Sequence, residues 1–201
     1  MKKLSLTPNN DYCPQTLFAY GTYKEDGAPN FGLFCWLSYC WDDALCVMCC
    51  IGEEKLTKDR ILATGRFSAC LITEPLLPLA DYLGSTSGRD PGKMNVDVAI
   101  GKGARLDVPI LEESPICYEL EVKRTMPLSE GSTLFVCRIV NVLADARCAQ
   151  AGDVESLLRA FVPVSTTCQT YFSHDGRAMG KWGEPGRSVR PLTPLPQTPD
   201  A

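Results

Sequence analysis

The segment EEKLTKDRILATGRF, residues 53–67, combines groups that suit a bound anion. Thr57 stands where a short helix is expected to begin, and Lys55, Lys58 and Arg60 surround it in a chain of net charge −4. The first amide groups of a helix are unpaired donors, and the helix dipole adds positive potential there. We therefore predict an anion site here, with a phosphate as the best match. A capped surface helix without a ligand is the alternative interpretation.

A polar loop, GSTSGRDPGK at residues 84–93, carries a second set of small and charged groups. It holds hydroxyl and glycine residues together with Arg89 and Lys93. Glycine lets the backbone approach a bound group closely. The loop has no specific signature of its own. By itself it is weak evidence for an anion site, and it supports one only together with the cationic segment 53–67.

The sequence favours neither a metal site nor nucleophilic catalysis. It contains one histidine, His174, which we interpret as a turn or surface residue with substrate contact as a minor alternative. The CxxC at Cys46 and Cys49 lies in a predicted strand, where side chains three apart point to opposite faces. The segment GKGARL, residues 101–106, lacks the βαβ frame of a dinucleotide site. We therefore predict no metal.

The composition is that of a globular protein with one domain. Apolar residues make up 45% of the 201 residues and charged residues 22%. The acidic balance argues against a nucleic-acid binder, and no apolar run reaches the ~18 residues of a membrane helix.

Eleven cysteines, mostly inside apolar runs, are interpreted as buried free thiols in a reducing compartment. With no signal peptide visible, a cytoplasmic protein is the expectation.

Apolar periodicity predicts short antiparallel strands with few helices. We expect strands at 17–23, 31–38, 44–51, 66–72, 114–124 and 132–143, and helices at 58–64, 78–84 and 153–161. A hairpin should join the first two strands through the turn residues of KEDGAPN, and TMPLSEG should join the last two. This order favours a closed or partly closed barrel over a parallel sheet, because parallel crossovers need longer helices.

Three local predictions follow from the same patterns. The run 44–51 should be buried on both faces. The short helix should have Thr57 as its N-cap and Gly65 just past its end. The strand 114–124 should be half exposed, with Tyr118, Leu120 and Val122 on one face and Glu119, Glu121 and Lys123 on the other.

The C-terminal segment is separated from the domain by its composition. Five prolines after Gly183 are taken to exclude regular structure, which divides the chain into a domain at 1–183 and a Pro-rich tail at 184–201. We interpret the tail as disordered, with an arm lying on a partner subunit as the alternative.

The order of the segments resembles the flavin reductase-like family, the FMN-binding split barrels that include flavoredoxins. The resemblance rests on DGAPNFGLFCWLS, an apolar strand, K-x-T-x-x-x-I-x-x-T-G-x-F and G-x-x-S-G-R-D-x-x-K, and it covers residues 17–180. It implies a mainly β fold with short helices, an FMN-binding split β-barrel of six strands. It also implies a homodimer with FMN near the subunit interface, where TYFSHDGRAMGKW reaches the neighbour's flavin.

The resemblance also implies which residues hold FMN. The isoalloxazine ring would lie along Cys35, Trp36, Leu37 and Ser38, and the backbone of Cys50, Ile51 and Gly52 would face the ring or ribityl chain. The phosphate would be held by Lys55, Thr57 and Lys58, and the loop residues Ser85, Ser87 and Lys93 would close over the cofactor. The chain departs from the family pattern at Gly52, where relatives often carry arginine, at Cys70 in place of Asn, and at residues 42–44, DDA in place of a proline pair.

The activity implied by the resemblance is oxidoreduction. Electrons would pass from NAD(P)H through FMN to a free flavin, a metal complex or a redox protein, and no catalytic side chain is assigned because the chemistry belongs to the cofactor. One alternative is a flavoredoxin-like electron-transfer flavoprotein that does not use a nicotinamide directly. The other is a non-catalytic split-barrel module that binds another ligand, such as haem, or none.

Overall fold

The computed structural model describes residues 3–129, 131–150, 154–173 and 178–191. The strands are β1 Gln15–Thr16, β2 Phe18–Tyr23, β3 Pro29–Phe34, β4 Leu37–Trp41, β5 Leu45–Ile51, β6 Arg66–Leu71, β7 Ile100–Lys102, β8 Pro109–Leu111, β9 Ile116–Ser129, β10 Ser132–Ala144, β11 Ser165–Thr166, β12 Thr170–Phe172 and β13 Ala178–Lys181. The helices are α1 Leu56–Thr64, α2 Leu77–Ser85, α3 Ala146–Gln150 and α4 Val154–Phe161, with 3-10 helices at Glu74–Leu76 and Pro185–Ser188. None of the helices in these ranges has the length and apolarity that a membrane crossing requires.

The main sheet is a split β-barrel, as predicted from the sequence. Its strand order is β3-β2-β6-β9-β10-β5-β4, and all neighbouring strands run antiparallel. The predicted first hairpin is β2 and β3. The sheet has seven strands where six were expected, because the separate strand β4 pairs with β5 at one edge. Inward side chains fill the barrel: Phe18, Tyr20, Phe34, Val47, Cys49, Ile51, Ile61, Phe67, Ala69, Leu120, Phe135 and Cys137.

A second apolar core lies outside the barrel, between the sheet and α2. Its buried residues are Leu17, Ala19, Phe31, Cys35, Cys70, Ile72, Leu76, Leu77, Ala80, Leu83, Leu111, Cys117, Val164 and Tyr171. Because Leu17 and Ala19 belong to this core while Phe18 and Tyr20 face the barrel, β2 is buried on both faces. Two cores around one sheet therefore fix α2 and the C-terminal strands against the hairpin.

The prediction that residues 44–51 are buried on both faces was wrong. In β5, Cys46, Val47 and Cys49 are buried, whereas Leu45 and Met48 are 51% and 39% exposed. The continuous apolar run reflects an uncovered apolar face, which a sequence cannot distinguish from a covered one.

The short helix α1 forms where expected but begins differently. Gly65 adopts the predicted left-handed conformation with φ of 68°, and its amide donates to the Ile61 carbonyl at 2.8 Å. The N-cap residue is Lys55, with no side-chain capping bond, so the assignment of Thr57 as N-cap was wrong. Thr57 lies inside the first turn, where tertiary contacts bury its side chain.

Strands β9 and β10 are longer than predicted and bury one unexpected carboxylate. The segment TMPLSEG does not form a loop, since β9 continues to Ser129 and the turn follows it. Glu119, expected on an exposed face, is fully buried. Its carboxylate accepts hydrogen bonds from the Ala104, Arg105 and Leu106 amides at 2.9, 2.8 and 2.5 Å and from Asn141 Nδ2 at 2.7 Å. Burial opposes ionisation, but these four donors hold the Glu119 pKa below its usual value.

The start of the Pro-rich segment is ordered against the domain. The 3-10 helix Pro185–Ser188 corrects the prediction that prolines exclude regular structure after Gly183. Asp81 on α2 anchors it: the carboxylate accepts from the Gly183 amide at 2.8 Å and the Gly186 amide at 2.7 Å. The rest of the predicted tail, residues 192–201, lies outside the described residues.

We predict that Glu119→Gln lowers the free energy of unfolding by about 1–3 kcal/mol at pH 7, because it removes the charge that four buried donors share. The Glu119 pKa is lowered in the folded chain. Its stabilisation is therefore complete above the unfolded value of about 4.3 and is lost as pH falls through the folded value. Urea unfolding should show the difference between wild type and variant shrinking below about pH 4.

The matched control is Glu121→Gln on the same strand. Glu121 is partly exposed and pairs with Arg138 Nη2 at 2.6 Å, so its loss should change the unfolding free energy by no more than about 1 kcal/mol. Equal effects of the two substitutions would contradict the structural role of Glu119.

Candidate functional site

An elongated cleft lies where β3, the start of α1, the end of α2 and the C-terminal strands meet. It has three connected chambers that all share Leu33, Phe34 and Gly84 in their walls. A polar chamber of about 310 Å³ faces α1, an open apolar chamber of about 470 Å³ faces the end of β5, and an inner chamber of about 220 Å³ reaches Tyr171. The combined cleft is large enough for a cofactor.

The polar chamber is built around Thr57. Its Oγ accepts a hydrogen bond of 3.0 Å from Asn30 Nδ2, so its own hydroxyl proton is available to another acceptor. Gly32 makes this contact possible, because a Cβ there would lie 2.9 Å from Thr57 Oγ. The first hairpin and the helix start are thereby joined under the chamber floor.

The loop predicted to close over the site does lie against α1. A Cβ on Gly88 would lie 2.8 Å from Asn30 Oδ1 and 3.0 Å from Leu56 Cβ, so only glycine allows this approach. Asn30 Oδ1 itself is buried and has no hydrogen-bond donor among the described residues. Ser85 and Ser87 stand in the chamber wall. The loop thus brings hydroxyl groups to the chamber wall and packs closely on Asn30 of β3.

Lys93 is the strongest electrostatic feature of the chamber. The residue is only 2% exposed and lines the chamber wall, yet its ammonium group has no carboxylate partner among the described residues. Burial, reinforced by the charges of Lys24 and Lys55, lowers the Lys93 pKa to about 8. A buried cation without a partner is unfavourable, so an anion in the chamber would stabilise it.

Two further cations stand at the chamber mouth. Lys55 Nζ contacts the exposed Glu53 carboxylate at 3.0 Å, and Arg89 Nη2 contacts Asp59 at 2.9 Å. Exposed pairs of this kind are weak, so both cations can turn toward a ligand at little cost.

The structure does not bring Lys58 to the chamber, which corrects the predicted phosphate contact. Its side chain is 6% exposed, and its ammonium group donates to the carbonyls of Glu53 and Gly131, the latter at 2.7 Å. The residue therefore ties α1 to the β9–β10 turn. A lysine one helical position from Thr57 faces another way, because successive helix residues are rotated by about 100°.

The apolar chamber contains part of the predicted ring-binding set. Cys35, Trp36, Cys50 and Gly52 line it, and Trp36 is 49% exposed. The remaining predicted residues of this set do not line the chamber: Leu37, Ser38 and Ile51. Leu37 and Ser38 belong to β4 and pair with β5, and the Ile51 side chain fills the barrel core.

The opposite wall of the apolar chamber comes from the C-terminal segment, which the sequence did not identify residue by residue. Trp182 and Cys168 line the chamber. The Trp182 ring stacks on Tyr171 with centroids 6.3 Å apart, and its Nε1 donates to Thr166 Oγ at 3.3 Å. The tryptophan therefore has a fixed orientation while half its surface remains exposed. His174 lies outside the described residues.

The inner chamber depends on Asp81. Tyr171 donates its hydroxyl to Asp81 at 2.6 Å, and burial together with this carboxylate raises the Tyr171 pKa. Asp81 also holds the amides of Gly183 and Gly186, so one carboxylate positions both the tyrosine and the segment that carries Trp182. No sequence pattern marked Asp81, since its donors come from 90 or more positions away.

Taken along its length, the cleft has a cationic end and an apolar, aromatic end. The cationic end offers Lys93, the Thr57 hydroxyl and the start of α1. The other end offers Trp36 and Trp182, whose faces can stack on a flat ring. This arrangement fits a ligand that joins a phosphate group to an extended aromatic system.

Comparison with known proteins agrees with this geometry. Residues 11–157 match the family described as "Flavin reductase like domain". No curated protein sequence matches the chain.

Several solved structures share the fold. Flavoredoxin of Desulfovibrio vulgaris (Miyazaki F) has 25% identity and a TM-score of 0.72, over 90% of this chain and 94% of the other. An FMN-binding protein from Thermus thermophilus with bound p-hydroxybenzaldehyde has 25% identity and a TM-score of 0.64, over 89% and 92%. Flavoredoxin from Methanosarcina acetivorans, at 19% identity, shows the fold alone, with a TM-score of 0.75 over 94% and 99%.

Proposed function

The chain belongs to the flavin reductase-like family, and from this premise we propose that it is a flavoprotein that binds FMN in the cleft. It takes electrons from NAD(P)H and passes them through FMN to a free flavin, a metal complex or a redox protein. The observation that carries the proposal is Lys93, a buried cation with no carboxylate partner among the described residues. It lies in a chamber that also holds Thr57 and the start of α1. A neighbour of the same fold is described as an FMN-binding protein.

The residues of the polar chamber fit the FMN phosphate and ribityl chain. Lys93 supplies a buried positive charge, Lys55 a second one at the mouth, and Thr57 a free hydroxyl proton. Ser87 adds a further hydroxyl in the wall.

The residues of the apolar chamber fit the isoalloxazine ring. Cys35 and Trp36 follow β3 on one side, and Trp182 stands on the other. The backbone of Gly52 leaves room beside the ring, since a Cβ there would meet only Ser132 Oγ, at 3.6 Å. Trp36 and Trp182 would cover part of a bound ring, and the open mouth of the chamber would leave room for a second molecule.

When bound, FMN supplies the transfer of one or two electrons, and the protein supplies binding, orientation and electrostatics. Lys93 and Thr57 would hold the phosphate end of the cofactor. The two tryptophans restrict the ring's orientation and its contact with water. No acid or base from the chain is required for this role.

We predict that Lys93→Gln weakens FMN binding about tenfold or more and leaves riboflavin affinity nearly unchanged. A charge-assisted hydrogen bond contributes about 1.5–3 kcal/mol, and riboflavin has no phosphate to lose. Since the Lys93 pKa is about 8 and only the ammonium form attracts phosphate, FMN affinity of the wild type should fall about tenfold between pH 7 and 9. Quenching of flavin fluorescence measures both affinities.

Lys58→Gln is the matched control. It also removes a buried lysine, but one that lies on α1 and whose ammonium group is bonded to the Glu53 and Gly131 carbonyls. It should lower the free energy of unfolding by about 1–3 kcal/mol and change FMN affinity less than about twofold. If Lys93→Gln bound FMN and riboflavin like the wild type, the phosphate would have to lie elsewhere.

The nicotinamide step is tested by adding NADH or NADPH to the FMN-loaded protein without oxygen. We expect either NADH or NADPH to reduce the flavin and so abolish its visible absorbance. If the absorbance persists with both but disappears with a reduced redox protein, the chain is an electron-transfer flavoprotein without direct nicotinamide use. If the purified protein takes up haem and no flavin, the binding-module alternative replaces both.

We also propose a homodimer, because an uncovered apolar face adjoins the cleft. Strand pairing places Met48 opposite Val136, and Leu134 opposite both Cys50 and Met126, so these side chains share the outer face of β5, β10 and β9. Met48 and Met126 are 39% and 51% exposed. Because Cys50 also lines the apolar chamber, a second copy on this face would stand beside the flavin ring.

Met126→Glu should therefore convert the dimer to a monomer in sedimentation velocity at micromolar concentration. A carboxylate in an apolar interface lacks a partner and strongly opposes association. Leu62→Glu on α1 is the control, since Leu62 is also 51% exposed but lies on a different surface. A wild-type monomer, or a dimer that survives Met126→Glu, would contradict the interface.

The compartment proposed for this activity is the cytoplasm. All eleven cysteines are free thiols, and most are buried. A reducing environment keeps thiols in this state.

A further inference from the structure

Three cysteines line the apolar chamber, and two of them are neighbours in space. Cys35 Sγ and Cys168 Sγ lie 3.6 Å apart, although the residues are 133 positions apart in the chain. Cys50 is the third thiol of the chamber wall. The pair therefore stands in the chamber assigned to the flavin ring.

The two thiols differ in their access to solvent. Cys35 follows β3 and is 7% exposed, and burial together with the neighbouring thiol raises its pKa to about 12. Cys168 is half-buried, in the turn between β11 and β12. An oxidant that enters the chamber therefore meets Cys168 first.

The turn that carries Cys168 is held by the Thr166 hydroxyl and by a hydrogen bond from the Thr167 amide to the Thr170 carbonyl at 3.3 Å. Thr166 Oγ accepts from the Cys168 amide at 3.0 Å and from Trp182 Nε1 at 3.3 Å, and it donates to the Thr170 carbonyl at 3.0 Å. Cys168 has a φ of 70°, a left-handed conformation that side chains other than glycine rarely adopt. These bonds keep the Cys168 thiol beside Cys35.

A second close pair provides a contrast. Cys70 and Cys117 have their sulfur atoms 3.0 Å apart, but both are buried in the outer core and neither lines the cleft. Among the close thiol pairs of the described residues, Cys35 and Cys168 therefore stand out by their position in a chamber. Proximity alone does not make a redox couple, because reaction with an external oxidant also requires that a thiol be accessible.

We propose that Cys35 and Cys168 form a reversible dithiol–disulfide couple that carries two electrons from the reduced flavin to an external disulfide. The inference rests on the proposed function, since the flavin is the reductant, and it names the class of acceptor. A rotation of both side chains must bring the sulfur atoms from 3.6 Å to the bonding distance of about 2.05 Å.

The exchange balances in two steps. The Cys168 thiolate attacks the external disulfide, which releases one thiol and leaves a mixed disulfide on Cys168. The Cys35 sulfur then attacks Cys168, its proton leaves with the second thiol, and the Cys35–Cys168 bond forms. Two electrons and two protons from the reduced flavin next break this bond and restore both thiols, so the flavin ends oxidised.

The first experiment maps thiols and does not depend on flavin. Reduced protein, with and without FMN, is incubated with glutathione disulfide, alkylated under native conditions and digested for mass spectrometry. We expect one peptide pair linked through Cys35 and Cys168 in the wild type and in the control Cys40→Ser. Cys168→Ser should lose the link, and Cys35→Ser should carry glutathione on Cys168. A wild type with only a glutathione adduct, or with both thiols still alkylatable, would overturn the couple.

The second experiment counts electrons in the oxidised, FMN-loaded protein during anaerobic titration with dithionite. The wild type should consume four electrons per chain, two for the flavin and two for the disulfide, whereas Cys35→Ser or Cys168→Ser should consume two. Equal consumption by wild type and variants would overturn the inference while leaving the flavoprotein function intact. The absorbance of the same sample reports flavin binding, so a protein without flavin would end the proposed function and this inference together, whatever the peptide map shows.

Discussion

The hydrogen bond from Asn30 Nδ2 to Thr57 Oγ is the contact on which the candidate site depends. It joins the first hairpin to the start of α1, and it fits only because Gly32 and Gly88 carry no Cβ at the closest points. Moving either element outward would open the polar chamber to water. Thr57 would then lose the burial that makes its hydroxyl selective for a bound group, since exposed hydroxyls are satisfied by water.

Charge is distributed around this contact in two different ways. Lys58, on the barrel side, has its ammonium group satisfied by carbonyl oxygens and therefore contributes to the fold. Lys93, on the cleft side, is equally buried but has no such acceptors among the described residues, and its pKa is lowered accordingly. The fold tolerates one buried cation by pairing it and leaves the other available to an anion.

The apolar end of the cleft is organised by long-range contacts of the C-terminal segment. Asp81 accepts hydrogen bonds from Tyr171 and two backbone amides, and the segment it anchors carries Trp182. Thr166 connects Trp182 to the turn of Cys168. The aromatic wall and the Cys168 turn are thus parts of one hydrogen-bonded unit. A change in Asp81 or Thr166 would therefore affect both the proposed ring site and the proposed couple.

The sequence by itself determined the barrel class, the first hairpin and the end of α1 at Gly65, and it predicted an anion site near Lys55 and Thr57. These features depend on local signals: apolar periodicity, turn residues, a left-handed glycine and clustered cations. The sequence could not decide which way a buried polar side chain faces, because that depends on partners distant in the chain. Only the tertiary structure showed that Lys58 is bonded to backbone carbonyls whereas Lys93 faces the cleft. It also buried Glu119 under the amides of residues 104–106 and brought Cys168 to Cys35 across 133 positions.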